Sequence, residues 1–159
     1  MNFATRDMSE ADAQAIGNWR YPKPYDIYNC EDSEDNRREL LDGTYRAVSV
    51  QGELFGFYCT GTSAQVPAGE KFELYPEGPI DLVLGMKPDK TGAGRGADFL
   101  AFVLREVDCR HPGKPLRLTV AQFNSRAMGL YAKAGFVSVG EFTTDSASFQ
   151  VMTKPSAGA

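Results

Sequence analysis

One histidine and three cysteines leave little material for a metal centre in this chain of 159 residues. His111 lies in the polar run Arg110-His-Pro-Gly-Lys114 and reads as a surface loop residue with no assigned role. Cys30, Cys59 and Cys109 are odd in number, widely spaced and without metal-type pairing, so reduced structural thiols are expected and no metal is. No apolar run reaches membrane-spanning length and residues 1–20 carry no signal-peptide pattern, so the expectation is a cytoplasmic protein without a membrane partner. The formal net charge of −4 argues against nonspecific nucleic-acid binding.

What the chain does have suits one globular domain. Hydrophobic residues at 42% supply a core, and no repeat or second-domain linker is visible. The expected division is a single domain over 1–153 and a flexible tail over 154–159. The charge is uneven: residues 1–79 carry 7 basic and 14 acidic side chains (−7), and residues 80–159 carry 10 and 7 (+3). An acidic half facing a cationic acceptor and a basic half holding an anionic ligand would produce this, and so would solvation of the Glu31–Asp35 surface.

Periodicity and punctuation outline the elements. A strand at Asn2–Thr5 precedes a helix capped by Ser9, with Asp12 near the capping-box position. Two prolines then force an extended segment bearing Trp19, Tyr21, Tyr25 and Tyr28. Such an aromatic wall can enclose a substrate and stack on a cation, cap the core, or offer a surface for a homodimer. A second helix over Ser33–Leu41 and a hairpin turning at Gln51-Gly52 follow. The connection Gly61–Pro79 is long for a compact domain; it is expected to border a substrate pocket, with Gln65, Glu70, Glu73 and Glu77 as polar candidates, or to be a mobile loop without that contact. Beyond a central strand at Ile80–Met86, where Gly85 suggests a bulge, come a helix burying Phe99, Leu100, Val103, Leu104 and Val107, a strand over Leu116–Val120, a helix over Asn124–Ala134 and a terminal hairpin.

The chain is organised around Gly85-Met-Lys-Pro-Asp-Lys-Thr-Gly-Ala-Gly-Arg-Gly-Ala97, where a buried strand passes through a glycine-rich loop into a helix. Such a junction binds anions, because the first N–H groups of a helix lack intrahelical acceptors and glycine lets phosphate reach bare backbone. A nucleotide P-loop is a poor match, since Gly85 is followed by Met86-Lys87-Pro88-Asp89-Lys90-Thr91 without the second glycine. Gly92-x-Gly94-x-x-Ala97 fits the letters of a dinucleotide fingerprint. Its linker from the strand is too long, however, and the next strand ends at Ala121-Gln122 without the ribose-binding acid. The third ligand is the pyrophosphate of coenzyme A, with Gly94-x-Gly96 at the helix start. Three glycines and two alanines around Arg95 exceed what a plain turn requires.

The loop and the segment after it resemble the GNAT superfamily of acyl-CoA-dependent N-acetyltransferases. The family motif Gln/Arg-x-x-Gly-x-Gly/Ala falls on Thr91-Gly92-Ala93-Gly94-Arg95-Gly96, with Thr91 departing at its first position. Asn124-Ser-Arg-Ala-Met-Gly-Leu-Tyr131-Ala-Lys-Ala-Gly-Phe136 resembles the family's Asn-x-x-Ala-x-x-Leu-Tyr-x-Lys-x-Gly-Phe segment. The resemblance covers about Ile80 to Phe136 and implies a mixed α/β fold, a mostly antiparallel sheet with helices on both faces. It implies acetyl-CoA as co-substrate, entering between two diverging strands, and acetyl transfer to an amine. The cofactor would meet Val83, Leu84, Gly85, Met86, Thr91, Gly92, Ala93, Gly94, Arg95, Gly96, Ala97, Asn124 and Arg126. Tyr131 would protonate the departing thiolate. The amine, with a pKa near ~10.4 when lysine-like, needs a base. Asp81 is the first candidate and Glu73 the second, with an ion pair between Asp81 and Arg117 as the structural alternative for the first. A noncatalytic acyl-CoA sensor and a dinucleotide-dependent oxidoreductase are the competing functions.

Overall fold

The computed structural model describes residues 2–91 and 94–155. Its first two helices begin where the sequence supplies caps. At α1, Glu10–Gly17, the Ser9 hydroxyl accepts from Asp12 N–H at 3.0 Å and the Asp12 carboxylate accepts from Ser9 N–H at 3.2 Å, a complete capping box. At α2, Glu34–Leu40, the Ser33 hydroxyl takes Asn36 N–H. Further along are α3 (Pro67–Glu70), α4 (Gly96–Arg110) and α5 (Ser125–Lys133). The strands are β1 (Phe3–Asp7), β2 (Tyr45–Val50), β3 (Glu53–Thr60), β4 (Ile80–Met86), β5 (Leu116–Ala121), β6 (Val137–Thr143) and β7 (Ser148–Lys154), in the sheet order β1-β2-β3-β4-β5-β7-β6. The sheet is mostly antiparallel, as expected, and β4 with β5 is its parallel pair.

The chain falls into two compact units, residues 1–59 with 84–102 and residues 60–83 with 103–159. In the first, β2 and β3 join through Gln51 and Gly52, both at positive φ (53° and 81°), the conformation of a two-residue hairpin turn. Phe55 is an extra residue on β3, because Val48 pairs with Gly56 while Ser49 pairs with Leu54. Phe3, Phe55 and Phe99 pack with ring centroids 5.1 to 6.0 Å apart, which seats the start of α4. A separate cluster joins Ala13, Ile16, Trp19 and Leu40 to Met8, Tyr45, Leu54 and Phe57.

Two glycines let β3 and β4 meet in this unit. A Cβ on Gly56 would collide with the Gly85 carbonyl and lie 2.8 Å from the Phe99 ring, and a Cβ on Gly85 would lie 2.6 Å from the Phe57 ring. Lys87 N–H bonds Phe55 O in this unit. Gly85 is glycine because Phe57 lies across it.

In the second unit β5 pairs with β7 along its length and β6 pairs beyond it. Val103, Val107, Leu118, Val120, Val151 and Met152 are buried there, and Phe142 stacks on Phe149 at 5.3 Å. Leu104 is only half-buried, unlike its helical neighbours Val103 and Val107. β7 runs to Lys154, whose Nζ donates to Ala134 O at 2.6 Å. The tail expected from Lys154 therefore starts in ordered structure, and its residues 156–159 lie outside the described residues.

Two expectations follow. Gly56→Ala should destabilise the protein by roughly 1–3 kcal/mol, because its new methyl meets backbone that cannot step aside, whereas Tyr58→Phe should leave the urea midpoint unchanged or raise it. Among the described residues the buried Tyr58 hydroxyl has no hydrogen-bond partner, so its removal relieves a cost. Burial pushes the Cys59 thiol up to about 12, against a smaller opposing effect of its hydrogen bond with Tyr45. Iodoacetamide at pH 8 should therefore modify exposed Cys109 and spare Cys59 in the native protein, as peptide mass mapping would report.

Candidate active site

The two edges of β4 have different partners. Within the first unit, Lys87 N–H donates to Phe55 O at 2.8 Å, so Lys87 turns its backbone groups toward β3. Alternation then assigns Gly85 to the same edge and gives Leu84 and Met86 to the opposite one. The Tyr21 hydroxyl donates to Met86 O, a carbonyl that this alternation places on the edge away from β3. Burial, with a further contribution from Cys30, pushes the Tyr21 phenol well up, so it stays protonated and remains a donor.

Tyr21 is held for this contact by its neighbours in the chain. Its N–H donates to Asn29 Oδ1 at 2.7 Å, and Arg20 Nη1 reaches the carbonyls of Gly17, Trp19 and Cys30 at 2.7 to 3.0 Å. The aromatic segment is thus a closed loop with divided duties. Trp19 is 8% exposed and stacks on Phe57, so it belongs to the core. Tyr25 and Tyr28 begin and end a 3-10 turn, and Tyr28 meets Tyr21 edge-on at 6.4 Å.

After β4 a 3-10 turn, Pro88–Lys90, leads into the glycine loop. The Thr91 hydroxyl donates to Pro88 O at 2.8 Å, so its proton is committed to this turn. Gly92 and Ala93 lie outside the described residues. Gly94 has φ 75°, which favours glycine, and open space where a Cβ would stand. Phe99 N–H bonds Arg95 O at 3.0 Å, which opens the helical ladder. Gly96, Ala97 and Asp98 form the first turn of α4, where N–H groups have no intrahelical acceptor.

In the second unit, Gly61 N–H bonds Asp81 O at 2.9 Å, which turns Asp81 and Val83 toward β3 and leaves Leu82 on the other edge. Among the described residues, the register of β4 with β5 holds two pairs, Ile80 with Leu116 and Asp81 with Arg117. Asp81 is buried, and its carboxylate receives Arg117 Nε at 2.6 Å, Arg117 Nη2 at 2.8 Å and Gln65 Nε2 at 2.8 Å. Both oxygens are engaged, so the geometry favours the ion pair over a general base at Asp81. Glu73 is exposed, at φ 56°, between Phe72, stacked on Phe142, and Leu74, which lies against Gly140. Glu70 and Glu77 are exposed as well.

The second motif forms a capped helix. The Asn124 side chain accepts from Ala127 N–H at 3.1 Å at the start of α5. At its end Gly135 has φ 104°, its N–H bonds Ala132 O, and Phe136 N–H bonds Tyr131 O at 3.0 Å. This is a Schellman motif, and the hydrophobic contact that accompanies it is the edge-on pair of Tyr131 and Phe136, 5.9 Å apart. Gly135 and Phe136 thereby fix the Tyr131 ring, which is half-buried. Arg126 is exposed on the first turn of the helix.

The sequence reading missed three anchoring residues, Arg20, Asn29 and Tyr75. A charged or amide side chain beside a proline-broken segment was the available signal for the first two. Nothing local marks Tyr75, whose partners are Val66 and Thr119. No group of histidine, cysteine, aspartate and glutamate side chains among the described residues could hold a metal ion, and no helix there is long and apolar enough to cross a membrane.

No protein-family model matches the sequence, and no curated protein matches it. Solved structures do match in fold. The chain is similar to AAC(6′)-Ib in complex with ribostamycin and coenzyme A at a TM-score of 0.74 and 17% identity, over 98% of this chain and 94% of that one. An uncharacterised protein from Bacillus halodurans matches at 0.74 and 15%, over 96% and 83%. A spermidine N-acetyltransferase chimera from Vibrio cholerae SpeG and hSSAT matches at 0.66 and 18%, over 96% and 95%. The chain has the GNAT fold implied by its two motifs, and an all-parallel dinucleotide-binding sheet is excluded.

Arg117→Met would strand the buried Asp81 carboxylate. The expected loss in urea unfolding is roughly 3–5 kcal/mol at neutral pH, larger than for any exposed ion pair of the chain.

Proposed function

We propose that the chain is an acetyl-CoA-dependent N-acetyltransferase that moves an acetyl group from the thioester to a primary amine. The observation that carries this reading is the unequal pairing of β4: Asp81 O and Lys87 N–H bond β3, while among the described residues the register with β5 holds two pairs, Ile80 and Asp81. Backbone groups of Leu84 and Met86 on that second edge suit the amides of a pantetheine arm, which would add to the strand as a peptide does. The strand leads directly into the glycine loop and α4, whose Gly94 to Ala97 backbone suits a pyrophosphate.

The chemistry divides among this chain's residues. Backbone N–H at Leu84 or Met86 polarises the thioester oxygen, a task that needs donor geometry and no particular side chain. Nitrogen attacks the carbonyl carbon, the C–N bond forms, and the C–S bond breaks as the adduct collapses. Tyr131, held by its Schellman contact, gives its proton to the leaving sulfur. With Asp81 engaged by Arg117, the amine loses its proton to water or to Glu73. Tyr21, Tyr25 and Tyr28 line the acceptor side, with Trp19 as their support, and the acceptor is a small-molecule amine or a protein N-terminus. Arg126 and Asn124 serve the cofactor, and Asn124 also caps its helix.

Calorimetric titration with acetyl-CoA, coenzyme A and nicotinamide dinucleotides tests the reading. Saturable binding of both CoA species should be lost in a folded Gly94→Asp/Gly96→Asp variant, with no dinucleotide binding. Spermidine and ribostamycin then serve as acceptor probes in a thiol-release assay, where Tyr131→Phe should lower kcat by roughly 10²-fold. Cofactor binding with turnover indifferent to Tyr131→Phe would favour the noncatalytic sensor, and dinucleotide binding alone would favour the oxidoreductase.

A further inference from the structure

Both flanks of the 66–76 stretch within the 61–79 connection end on one buried node. Arg117, 3% exposed, holds Asp81 through Nε and Nη2, and its Nη1 donates to Pro76 O at 2.7 Å. The guanidinium lies over the Tyr75 ring, 5.2 Å from its centroid. The Tyr75 hydroxyl accepts from Val66 N–H at 3.2 Å and shares a 2.7 Å hydrogen bond with Thr119 Oγ1, two residues beyond Arg117 on β5. Gln65 completes the node through Asp81.

The same node contains the last register pair of β4 and β5, Asp81 with Arg117. A parallel register that holds two pairs among the described residues needs something to fix it. A one-residue slip of β5 would turn Arg117 to the other face while Asp81 stayed, and leave two buried charges unpaired, so the pair locks the register. We propose that Arg117 is a positioning residue that fixes the point at which β4 and β5 part and ties the 66–76 stretch to it. One side chain thereby sets both the opening for the pantetheine arm and the placement of the loop that borders the acceptor. The inference rests on the acetyltransferase reading for what enters that opening.

The test uses the full chain as wild type, as Arg117→Lys and as Asp81→Asn/Arg117→Met. Lysine keeps the charge but cannot span Asp81 and Pro76 together. The double substitution removes both charges, so no carboxylate is stranded and the fold is retained. Coenzyme A affinity is read by calorimetry and exchange of the 66–76 amides by mass spectrometry, on samples shown to be folded by near-ultraviolet circular dichroism. In both variants the dissociation constant should rise at least roughly tenfold and the loop amides should exchange at least roughly tenfold faster, even where the melting temperature matches wild type. A purely structural ion pair would move the melting temperature alone. A folded variant with affinity and loop exchange both within about twofold of wild type overturns the proposal while the acetyltransferase reading stands. Wild-type protein that binds no coenzyme A sinks both. If neither variant folds, Tyr75→Phe decides: unchanged loop exchange overturns the proposal, and faster exchange at 66–76 supports it.

Discussion

Every backbone N–H and C=O of a central strand needs a partner, and the two edges of β4 are partnered differently. Toward β3, Asp81 O accepts from Gly61 N–H and Lys87 N–H donates to Phe55 O. Toward β5, the register among the described residues holds Ile80 and Asp81. The rest of the chain answers this asymmetry. Gly56 and Gly85 bring β3 close enough to hold the strand by one edge alone, and the Phe57 ring fills the space a side chain would take. Tyr21 occupies the carbonyl at the far end, and the Arg20 and Asn29 bonds keep it there.

At the near end the constraint is electrostatic. A buried ion pair adds little net stability over an apolar pair, yet breaking it is costly, so Asp81 and Arg117 specify a register more than they strengthen the fold. Their hydrogen bonds reach outward to Gln65 and Pro76, and Tyr75 extends the network to Val66 and Thr119. A long connection that would otherwise move freely is thereby placed by one strand pair. Exposed Glu70, Glu73 and Glu77 ride on a fixed support, which suits a wall that selects an acceptor by charge.

The sequence disclosed what local chemistry encodes. Ser9 with Asp12, Gln51-Gly52 and Gly135 each carry a cap or turn whose geometry depends on a few adjacent residues, and each appears where expected. The two motifs led to the fold because their spacing reflects a strand, a loop and two helices in fixed order. Long-range pairings were less legible. Asp81 on an apolar strand had two readings, a base or an ion pair, and only the register with Arg117 favours one. Trp19 among tyrosines looked like a member of a wall, yet burial against Phe57 separates it from the others. Tyr75 escaped notice because its partners are 9 and 44 residues away.

The central claim is that the edge of β4 beyond its pairs with β5, at Leu84 and Met86, receives the cofactor. It is tested most directly by amide hydrogen exchange along β4, followed by nuclear magnetic resonance with and without saturating coenzyme A. Leu84 and Met86 should become protected on binding, while Val83 and Gly85, which alternation turns toward β3, should change little. Protection that leaves Leu84 and Met86 untouched, or that falls on Val83 and Gly85 instead, would contradict it.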